Sequence, residues 1–247
     1  MLLAIDIGNT RTKFGIFDNE LLLRRFAIPT IRHQSADKIY DSALPLESVH
    51  AVIISSVVPE LQNSYIEFSN EYFNLEPIFV DNSFDFDLKI NYYPPESLGV
   101  DRIVNAFAAT QKYGKPCIVC SFGTATTIDA VNSAGEYLGG TITPGITLMS
   151  KSLFLKTSKL PNIELNKPES VIGNSTVKSI QAGIYFGYIG LVEGIIERIT
   201  CELGEKAKVI ATGGSAKLIA ENSSRIDIVN ENLMLEGLRL IYEKRFR

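Results

Sequence analysis

The chain has 247 residues, of which 45% are hydrophobic and 21% are charged, and its formal net charge is −4. This length allows one large or two small domains with a substantial core. The slight acidic excess argues against a broad nucleic-acid surface, which needs a clear basic excess. No uninterrupted apolar run approaches the roughly 18 residues of a membrane-spanning helix, and no signal-peptide core opens the chain. We therefore expect a cytoplasmic protein without a nucleic-acid or membrane partner.

The first predicted feature is a β-hairpin. The apolar residues 2–5 predict a buried strand, and residues 13–17 predict the strand that returns. Gly8, in the turn, can supply the positive φ that a tight turn requires. Backbone N–H groups and hydroxyls in such a turn donate to phosphate oxygens, and the strand-end carboxylate of Asp6 suits a hydrated Mg²⁺. Taken alone, the pattern also fits an ordinary hairpin with a polar loop.

The next elements indicate a mixed sheet covered by helices. They are strand 21–28, helix 37–44, strand 51–58, helix 59–73 and strand 77–80. Pro59 marks the start of the second helix because proline is tolerated in the first turn. This order of strands and helices predicts an α/β domain in which helices pack on a sheet.

A long polar loop, residues 81–99, precedes a helix that we predict over 103–113. Asp101 and Arg102 then lie at or near the N-terminus of that helix, where unpaired N–H groups favour anions. Long loops in compact domains are often functional. A carboxylate beside a guanidinium, with Tyr92 in the same loop, would make a small-molecule site. The pair also fits a capping residue beside a surface cation.

The opening pattern recurs 115 residues later. Residues 116–131 again form an apolar strand, a glycine turn and a returning strand, with Ser121 in the place of Asp6. A repeat of half the chain length indicates two related domains. We place them at 1–113 and 114–247.

The remaining elements complete the second domain. They are strand 136–143, helix 146–155, helix 177–202, strand 208–212, strand 226–229 and helix 233–246. The turn at Gly213 and Gly214 allows the backbone to approach a ligand closely, although such a turn alone is a weak signal. Two phosphate hairpins followed by this turn predict a nucleotide in the cleft between the two domains.

Six short motifs, in order along the whole chain, resemble those of the type III pantothenate kinases, a family of the actin, sugar kinase and Hsp70 superfamily. The motifs are Asp6-x-Gly-Asn-Thr with Lys13, Gly99-Val-Asp101-Arg102, Phe122-Gly-Thr-Ala-Thr-Thr127, Gly139-Gly-Thr-Ile-Thr-Pro-Gly145, Gly173-Asn-Ser-Thr176 and Thr212-Gly-Gly-x-Ala216. The resemblance implies an α/β fold of two repeated RNase H-like (actin-like ATPase) domains, each a mixed sheet with flanking helices. It also implies ATP-dependent phosphorylation of pantothenate, the first step of coenzyme A biosynthesis.

The resemblance further implies roles for single residues. Asp101 would be the general base, and Asp6 would lie near Mg²⁺. The ATP-binding residues would be Asp6, Ile7, Gly8, Asn9, Thr10, Arg11, Thr12, Lys13, Gly123 and Thr124. The pantothenate-binding residues would be Tyr92, Gly99, Val100, Asp101, Arg102 and Thr176. Thr176 would lie near the interface of a homodimer.

One position departs from the family pattern. The family's second phosphate loop begins with an Asp that binds a monovalent cation, K⁺ or ammonium, and this chain has Ser121 there. A neutral hydroxyl lacks the carboxylate's charge, so we expect a weaker cation requirement, or a nearby carboxylate such as Asp129 in its place. Two rivals stay open at this point: a kinase for another small hydroxylated acid, and a catalytically silent regulatory relative that binds partners or DNA.

Overall fold

The computed structural model describes residues 1–43 and 48–246. The predicted helix end at Leu44 and the predicted domain end at Arg247 lie outside these residues. The chain divides into two compact units. Taken over the described residues, the first comprises Met1–Leu88, Tyr92–Ala108 and Asn232–Arg247, and the second comprises Lys89–Asn91 and Ala109–Glu231.

The described residues form strands and helices that follow one another along the chain. The strands are β1 (Leu2–Ile7), β2 (Arg11–Asp18), β3 (Leu21–Pro29), β4 (Ala51–Ser56), β5 (Ile78–Phe79), β6 (Lys89–Ile90), β7 (Cys117–Phe122), β8 (Ala125–Val131), β9 (Glu136–Pro144), β10 (Lys208–Thr212) and β11 (Ile228–Val229). The α-helices are α1 (Ala36–Ala43), α2 (Gln62–Phe73), α3 (Val100–Tyr113), α4 (Ile146–Lys156), α5 (Thr176–Leu203), α6 (Ala216–Ala220) and α7 (Leu233–Phe246).

The first unit is built on a sheet with the strand order β3-β2-β1-β4-β5. Strands β1, β2 and β3 are antiparallel neighbours, and β4 runs parallel to β1. Alternate residues of a strand face opposite sides of the sheet. Leu3, Ile5 and Ile7 of β1 face one side, where they join the core with residues of α1 and α2. Asp6 faces the other side.

The second unit repeats this arrangement, which confirms the predicted repeat. Its strand order is β11-β10-β7-β8-β9-β6, so β7, β8, β9 and β10 correspond to β1, β2, β3 and β4. The pairing directions also agree, because β7 and β8 are antiparallel and β10 runs parallel to β7. Strand β6 is an addition at the edge, and it comes from within the segment 81–99 that we predicted as loop.

The two units differ from the predicted domain ranges at the C-terminus. The closing helix α7 groups with the first unit because it packs on β1, β2 and β4. A Cβ at Gly237 would lie 2.8 Å from the Val104 side chain, so glycine lets α7 approach α3 closely. As functional domains, 1–113 and 114–247 stay a prediction.

Helix α5 is the one helix among residues 1–43 and 48–246 that is long and apolar enough to cross a membrane. Core helices of soluble proteins meet the same criterion of length and composition. Here Tyr185, Tyr188 and Val192 of α5 are buried in the core of the second unit. The expectation of no such segment overlooked α5, because glycines and polar residues interrupt its apolar run.

Candidate active site

The first of the two predicted phosphate hairpins joins β1 to β2 through a tight turn. The Gly8 N–H donates to the Arg11 carbonyl oxygen at 3.2 Å, and a Cβ at Gly8 would lie only 3.0 Å from that oxygen. Asn9, Thr10 and Arg11 are exposed, whereas the side chains of the flanking Ile7 and Thr12 are fully buried. The turn thus presents polar groups to solvent from a rigid base.

Thr30, the residue that follows β3, holds this turn in place. The Thr30 hydroxyl donates to the Gly8 carbonyl oxygen at 2.7 Å and lies 3.0 Å from the Thr12 hydroxyl. The Thr30 N–H donates to the Thr10 carbonyl oxygen at 3.0 Å. Thr12, which we predicted among the ATP-binding residues, thus contacts Thr30 from a buried position, and this contact helps to hold the turn.

Asp6 and Lys13 form an ion pair across the base of the hairpin. They are directly opposite each other on β1 and β2, and the Lys13 Nζ lies 3.0 Å from the Asp6 Oδ2. The Asp6 side chain is nearly buried, whereas the Lys13 side chain is 37% exposed. The carboxylate is therefore held in place by its strand and its partner, and the lysine retains access to solvent.

Ser55 is the neighbour of Asp6 on the other side. The two residues are aligned on the parallel strands β1 and β4. Ser55 is fully buried, and its Oγ has no hydrogen-bond partner within the described part of the chain. Sequence reasoning missed this residue. The available signal was a pair of serines ending an apolar strand, because parallel strands end at the same edge of a sheet as their neighbours.

Tyr92 and Arg102 meet at the start of α3. The Arg102 Nη1 lies 3.4 Å from the Tyr92 hydroxyl, and the guanidinium carbon lies 5.4 Å from the centre of the Tyr92 ring. This distance is within the range of a cation–π interaction. Arg102 is only 6% exposed. The preceding loop is fixed by Asn82, whose side-chain amide donates to the Leu98 carbonyl oxygen at 2.9 Å.

The Asp101 carboxylate lies over Gly99. A Cβ at Gly99 would come within 2.6 Å of the Asp101 Oδ1. Helix α3 begins at Val100, so Asp101 and Arg102 stand in its first turn, as predicted. Asn105 follows Asp101 by one helical turn, and its buried Oδ1 lacks a hydrogen-bond partner among the residues described. Sequence reasoning also missed Asn105, which its spacing from Asp101 could have indicated.

The second hairpin is closed by two other glycine motifs of the same unit. A Cβ at Gly145 would lie 2.2 Å from the Gly123 carbonyl oxygen, and a Cβ at Gly213 would lie 2.5 Å from the Phe122 carbonyl oxygen. Gly213 also has a φ of +94°, which disfavours other residues. The Gly145 N–H donates to the Thr124 carbonyl oxygen at 2.9 Å. The structure therefore brings three motifs of the sequence together around this turn.

Ser121 lies in a row of hydroxyl groups. Its aligned neighbours are Thr212 on β10 and Thr127 on β8. Asp129 faces the same side two residues further along β8, is buried, and accepts a hydrogen bond from the Tyr137 hydroxyl at 2.6 Å. Over residues 1–43 and 48–246, no three His, Cys, Asp or Glu residues group as a metal site.

Thr176 is placed in the second unit, whereas Tyr92 and Asp101 belong to the first. It is the exposed first residue of α5, after Ser175, whose hydroxyl caps the helix by accepting from the Lys178 N–H at 3.3 Å. Within the first unit, the structure brings six of the predicted site residues into contact as three pairs. They are Asp6 with Lys13, Tyr92 with Arg102, and Gly99 with Asp101.

Sequence comparisons point to one family. Residues 2–198 match the family described as type III pantothenate kinase. A type III pantothenate kinase of Citrifermentans bemidjiense is 44% identical over 252 residues, which cover 99% of each chain. That of Koribacter versatilis is 41% identical over 262 residues, which cover 99% of this chain and 96% of its own.

Solved structures of lower identity share the fold. A Campylobacter jejuni protein assigned by name to the Baf family of transcriptional activators has a TM-score of 0.65 and 21% identity, covering 98% of each chain. An inorganic polyphosphate/ATP-glucomannokinase of Arthrobacter has a TM-score of 0.51 and 16% identity, covering 99% of each chain. At these identities the likeness concerns the fold alone, and it confirms the predicted pair of RNase H-like domains.

Proposed function

Because the chain belongs to the type III pantothenate kinase family, we propose that it transfers the γ-phosphoryl group of ATP to the primary hydroxyl of pantothenate. This reaction is the first step of coenzyme A biosynthesis. The observation that carries the proposal is the arrangement at the start of α3, where the Asp101 carboxylate and the Arg102 guanidinium stand in one helical turn. A substrate that carries a hydroxyl and a carboxylate needs a protein carboxylate to accept the proton of its hydroxyl and a guanidinium to pair with its carboxylate.

The ATP phosphates would bind at the glycine turns of the two hairpins. Phosphoryl transfer depends mainly on positioning and on charge stabilisation. Asn9, Thr10, Gly123 and Thr124 are exposed and offer backbone N–H groups or polar side chains. Lys13 can exchange the Asp6 carboxylate for a phosphate oxygen, because its side chain reaches solvent.

Asp6 is the residue that would hold Mg²⁺. Mg²⁺ is bound in proteins by one or two carboxylates and several waters, and the nearly buried Asp6 carboxylate, held by its ion pair with Lys13, fits this requirement. Bound Mg²⁺ supplies positive charge that offsets the charge of the phosphates.

Asp101 acts on the substrate hydroxyl. A carboxylate within hydrogen-bond reach orients the hydroxyl and accepts its proton as the new bond to phosphorus forms. Arg102 pairs with the pantothenate carboxylate, because a guanidinium matches carboxylate geometry with two parallel hydrogen bonds. Tyr92 contacts Arg102 and limits its movement.

The variant Gly99→Ala tests the proposed position of the Asp101 carboxylate. In Gly99→Ala the new Cβ would occupy the space of the Asp101 Oδ1, so the carboxylate must rotate away. We expect the turnover number to fall about tenfold to a hundredfold, since a misplacement of about 1 Å can cost about 10² in rate. Thermal unfolding should change little, because a side chain moves and the backbone stays. Steady-state kinetics with a melting curve measures both, and an unchanged turnover number would contradict the placement.

The monovalent cation is where this chain departs from its family. Because Ser121 stands in place of a carboxylate, we propose that the activity of this protein depends less on K⁺ or ammonium. We compare the factor by which K⁺ raises the initial rate in Ser121→Asp with the same factor in the natural protein. We expect the factor for the variant to be about fivefold larger or more, the lower end of typical coupling between two ligands. Rates with and without K⁺, with Asp129→Asn as the control for a substitute carboxylate, measure this. Equal cation dependence in both proteins would contradict the weakened site.

The protein is proposed to act as a cytoplasmic homodimer without nucleic-acid or membrane partners. An exposed face of α5 supports a second copy as the partner. Gly183, Gly187 and Gly190 recur there at helical spacing with open space around them, and the apolar Val177 is exposed on the same helix. Thr176, at the start of this helix, would add its hydroxyl to the substrate site near the dimer interface.

Two rival functions remain distinguishable by experiment. A kinase for another small hydroxylated acid would release ADP fastest with that acid, so initial rates over a panel of hydroxy acids identify the substrate. The second rival is a catalytically silent regulatory relative, and the name of the Campylobacter jejuni structure is of this class. Such a protein would release no ADP with any acid. We expect pantothenate to give the highest rate, since Asp6, Lys13, Asp101 and Arg102 are all retained.

A further inference from the structure

Ser55 presents a buried hydroxyl that the proposed mechanism does not use. The residue is 0% exposed, and its Oγ finds no hydrogen-bond partner in the described part of the chain. Buried polar groups are almost always paired, and an unpaired one calls for an explanation such as an ion or a bound water. The adjacent Ser56 shows the usual case, because its hydroxyl accepts from the Val58 N–H at 3.1 Å and donates to the Val58 carbonyl oxygen at 3.2 Å.

The hydroxyl of Ser55 faces the same side of the sheet as the Asp6 carboxylate. Val52 and Ile54 of β4 lie in the core on the opposite side, and side chains alternate along a strand. Asp6 is aligned with Ser55 on one side and with Lys13 on the other. Since neighbouring strands are about 4.8 Å apart, the three side chains form a continuous row with the carboxylate in the centre.

The repeat supports a role at this position. Thr212 occupies the place of Ser55 in the second unit, where it is aligned with Ser121. A hydroxyl therefore stands beside the phosphate hairpin in both units. Among the described residues of these two rows, only Ser55 has a buried hydroxyl without a partner, and its row is the one that has kept the carboxylate.

We propose that the Ser55 hydroxyl completes the Mg²⁺ site at Asp6 by hydrogen bonding to a water of the cation's hydration shell. The proposal rests on the assignment of Mg²⁺ to Asp6 in the proposed function. Mg²⁺ keeps several of its waters in protein sites, and such waters need oxygen acceptors around them. Ser55 is thus a positioning residue for the cation, and it does not touch the reacting atoms.

The test uses Mn²⁺ as the probe for this site. Free Mn²⁺ is measured by electron paramagnetic resonance in the presence of a non-hydrolysable ATP analogue, with the full-length chain and with Ser55→Ala. We expect the affinity for Mn²⁺ to fall about tenfold to a hundredfold, the usual effect of removing a partner of a metal's ligands. The melting temperature should stay the same or rise, because the hydroxyl has no hydrogen-bond partner to lose among the described residues.

Ser56→Ala is the matched control. It removes a neighbouring hydroxyl that has two partners, so it should lower the melting temperature and leave Mn²⁺ affinity unchanged. Wild-type Mn²⁺ affinity in a folded Ser55→Ala protein overturns the proposal. If the alanine variant does not fold, the hydroxyl is structural and the proposal is also overturned. Ser55→Cys, close to serine in size, repeats the measurement with a poor hydrogen-bonding group and must weaken Mn²⁺ binding as well.

Asp6→Asn separates this proposal from the function on which it rests. Unchanged Mn²⁺ affinity in Asp6→Asn overturns both the assignment of Mg²⁺ to Asp6 and the role of Ser55. If Asp6 and Ser55 both govern Mn²⁺ affinity while the wild-type protein phosphorylates no pantothenate, the proposed substrate fails and the role of Ser55 stands.

Discussion

Asp101→Asn is expected to lower the turnover number for pantothenate phosphorylation by about 10² to 10⁴, the usual contribution of a general base. The amide keeps the shape of the side chain and cannot accept the proton of the attacking hydroxyl. Loss of the negative charge in the first turn of α3 should cost at most about 1 kcal/mol of folding free energy. Single-turnover kinetics and a thermal melt on the same preparation measure the two effects separately.

The control for this prediction is Glu96→Gln, which removes an exposed carboxylate from the same loop. We expect it to retain turnover, since its charge is solvated and belongs to no predicted contact. Retained turnover in Asp101→Asn would remove Asp101 from the role of general base.

Asp6→Asn should be the second most damaging change. Asp6 is the one strand-end carboxylate of the two phosphate hairpins, because the second hairpin has Ser121 at that place. Its loss weakens the proposed Mg²⁺ site and leaves the Lys13 ammonium without its counter-charge. We expect kcat/KM for Mg·ATP to fall about a hundredfold, the upper range of effects seen when a metal site is perturbed. Raising the Mg²⁺ concentration should recover part of this loss.

Rates measured across a Mg²⁺ titration test this expectation. Asp18→Asn removes an exposed carboxylate at the far end of β2 and serves as the control. The cost in folding free energy of Asp6→Asn should stay near or below about 1 kcal/mol, since its partner is partly solvated. An Asp6→Asn protein with the wild-type Mg²⁺ dependence would contradict the assigned role.

The repeated fold could be predicted because its signals are local. Short apolar runs that end in glycine turns mark β1, β2, β7 and β8, and the same succession occurs twice. The N-terminal position of Asp101 in α3 also follows from the polar loop before it. Each of these inferences depends on residues that are close together in the chain.

The features that could not be predicted depend on contacts between distant residues. Helix α7 joins the first unit because its side chains fit β1, β2 and β4, which lie more than 170 residues earlier. Ser55 and Asn105 look ordinary in the sequence, where a serine in a strand or an asparagine in a helix has many explanations. That their oxygen atoms lack a hydrogen-bond partner among the described residues becomes visible only when the surrounding residues are in place.

The comparison of the two hairpins shows what the sequence predicts and what only the structure adds. The sequence alone reveals that Ser121 replaces the carboxylate found at Asp6. The structure adds that the row of side chains around Ser121 in the second unit consists of hydroxyl groups. It also shows that Asp129, the carboxylate considered as a substitute, accepts a hydrogen bond from the Tyr137 hydroxyl. The weaker cation requirement is therefore the alternative that this geometry favours.

The most direct test of the account is to identify the product that the purified protein forms from ATP, Mg²⁺ and pantothenate. Phosphorus NMR and mass spectrometry should show 4′-phosphopantothenate formed in equal amount with ADP, and almost none with Asp101→Asn. A folded wild-type protein that leaves pantothenate unchanged under these conditions, or phosphorylates another hydroxy acid in its place, would contradict the account.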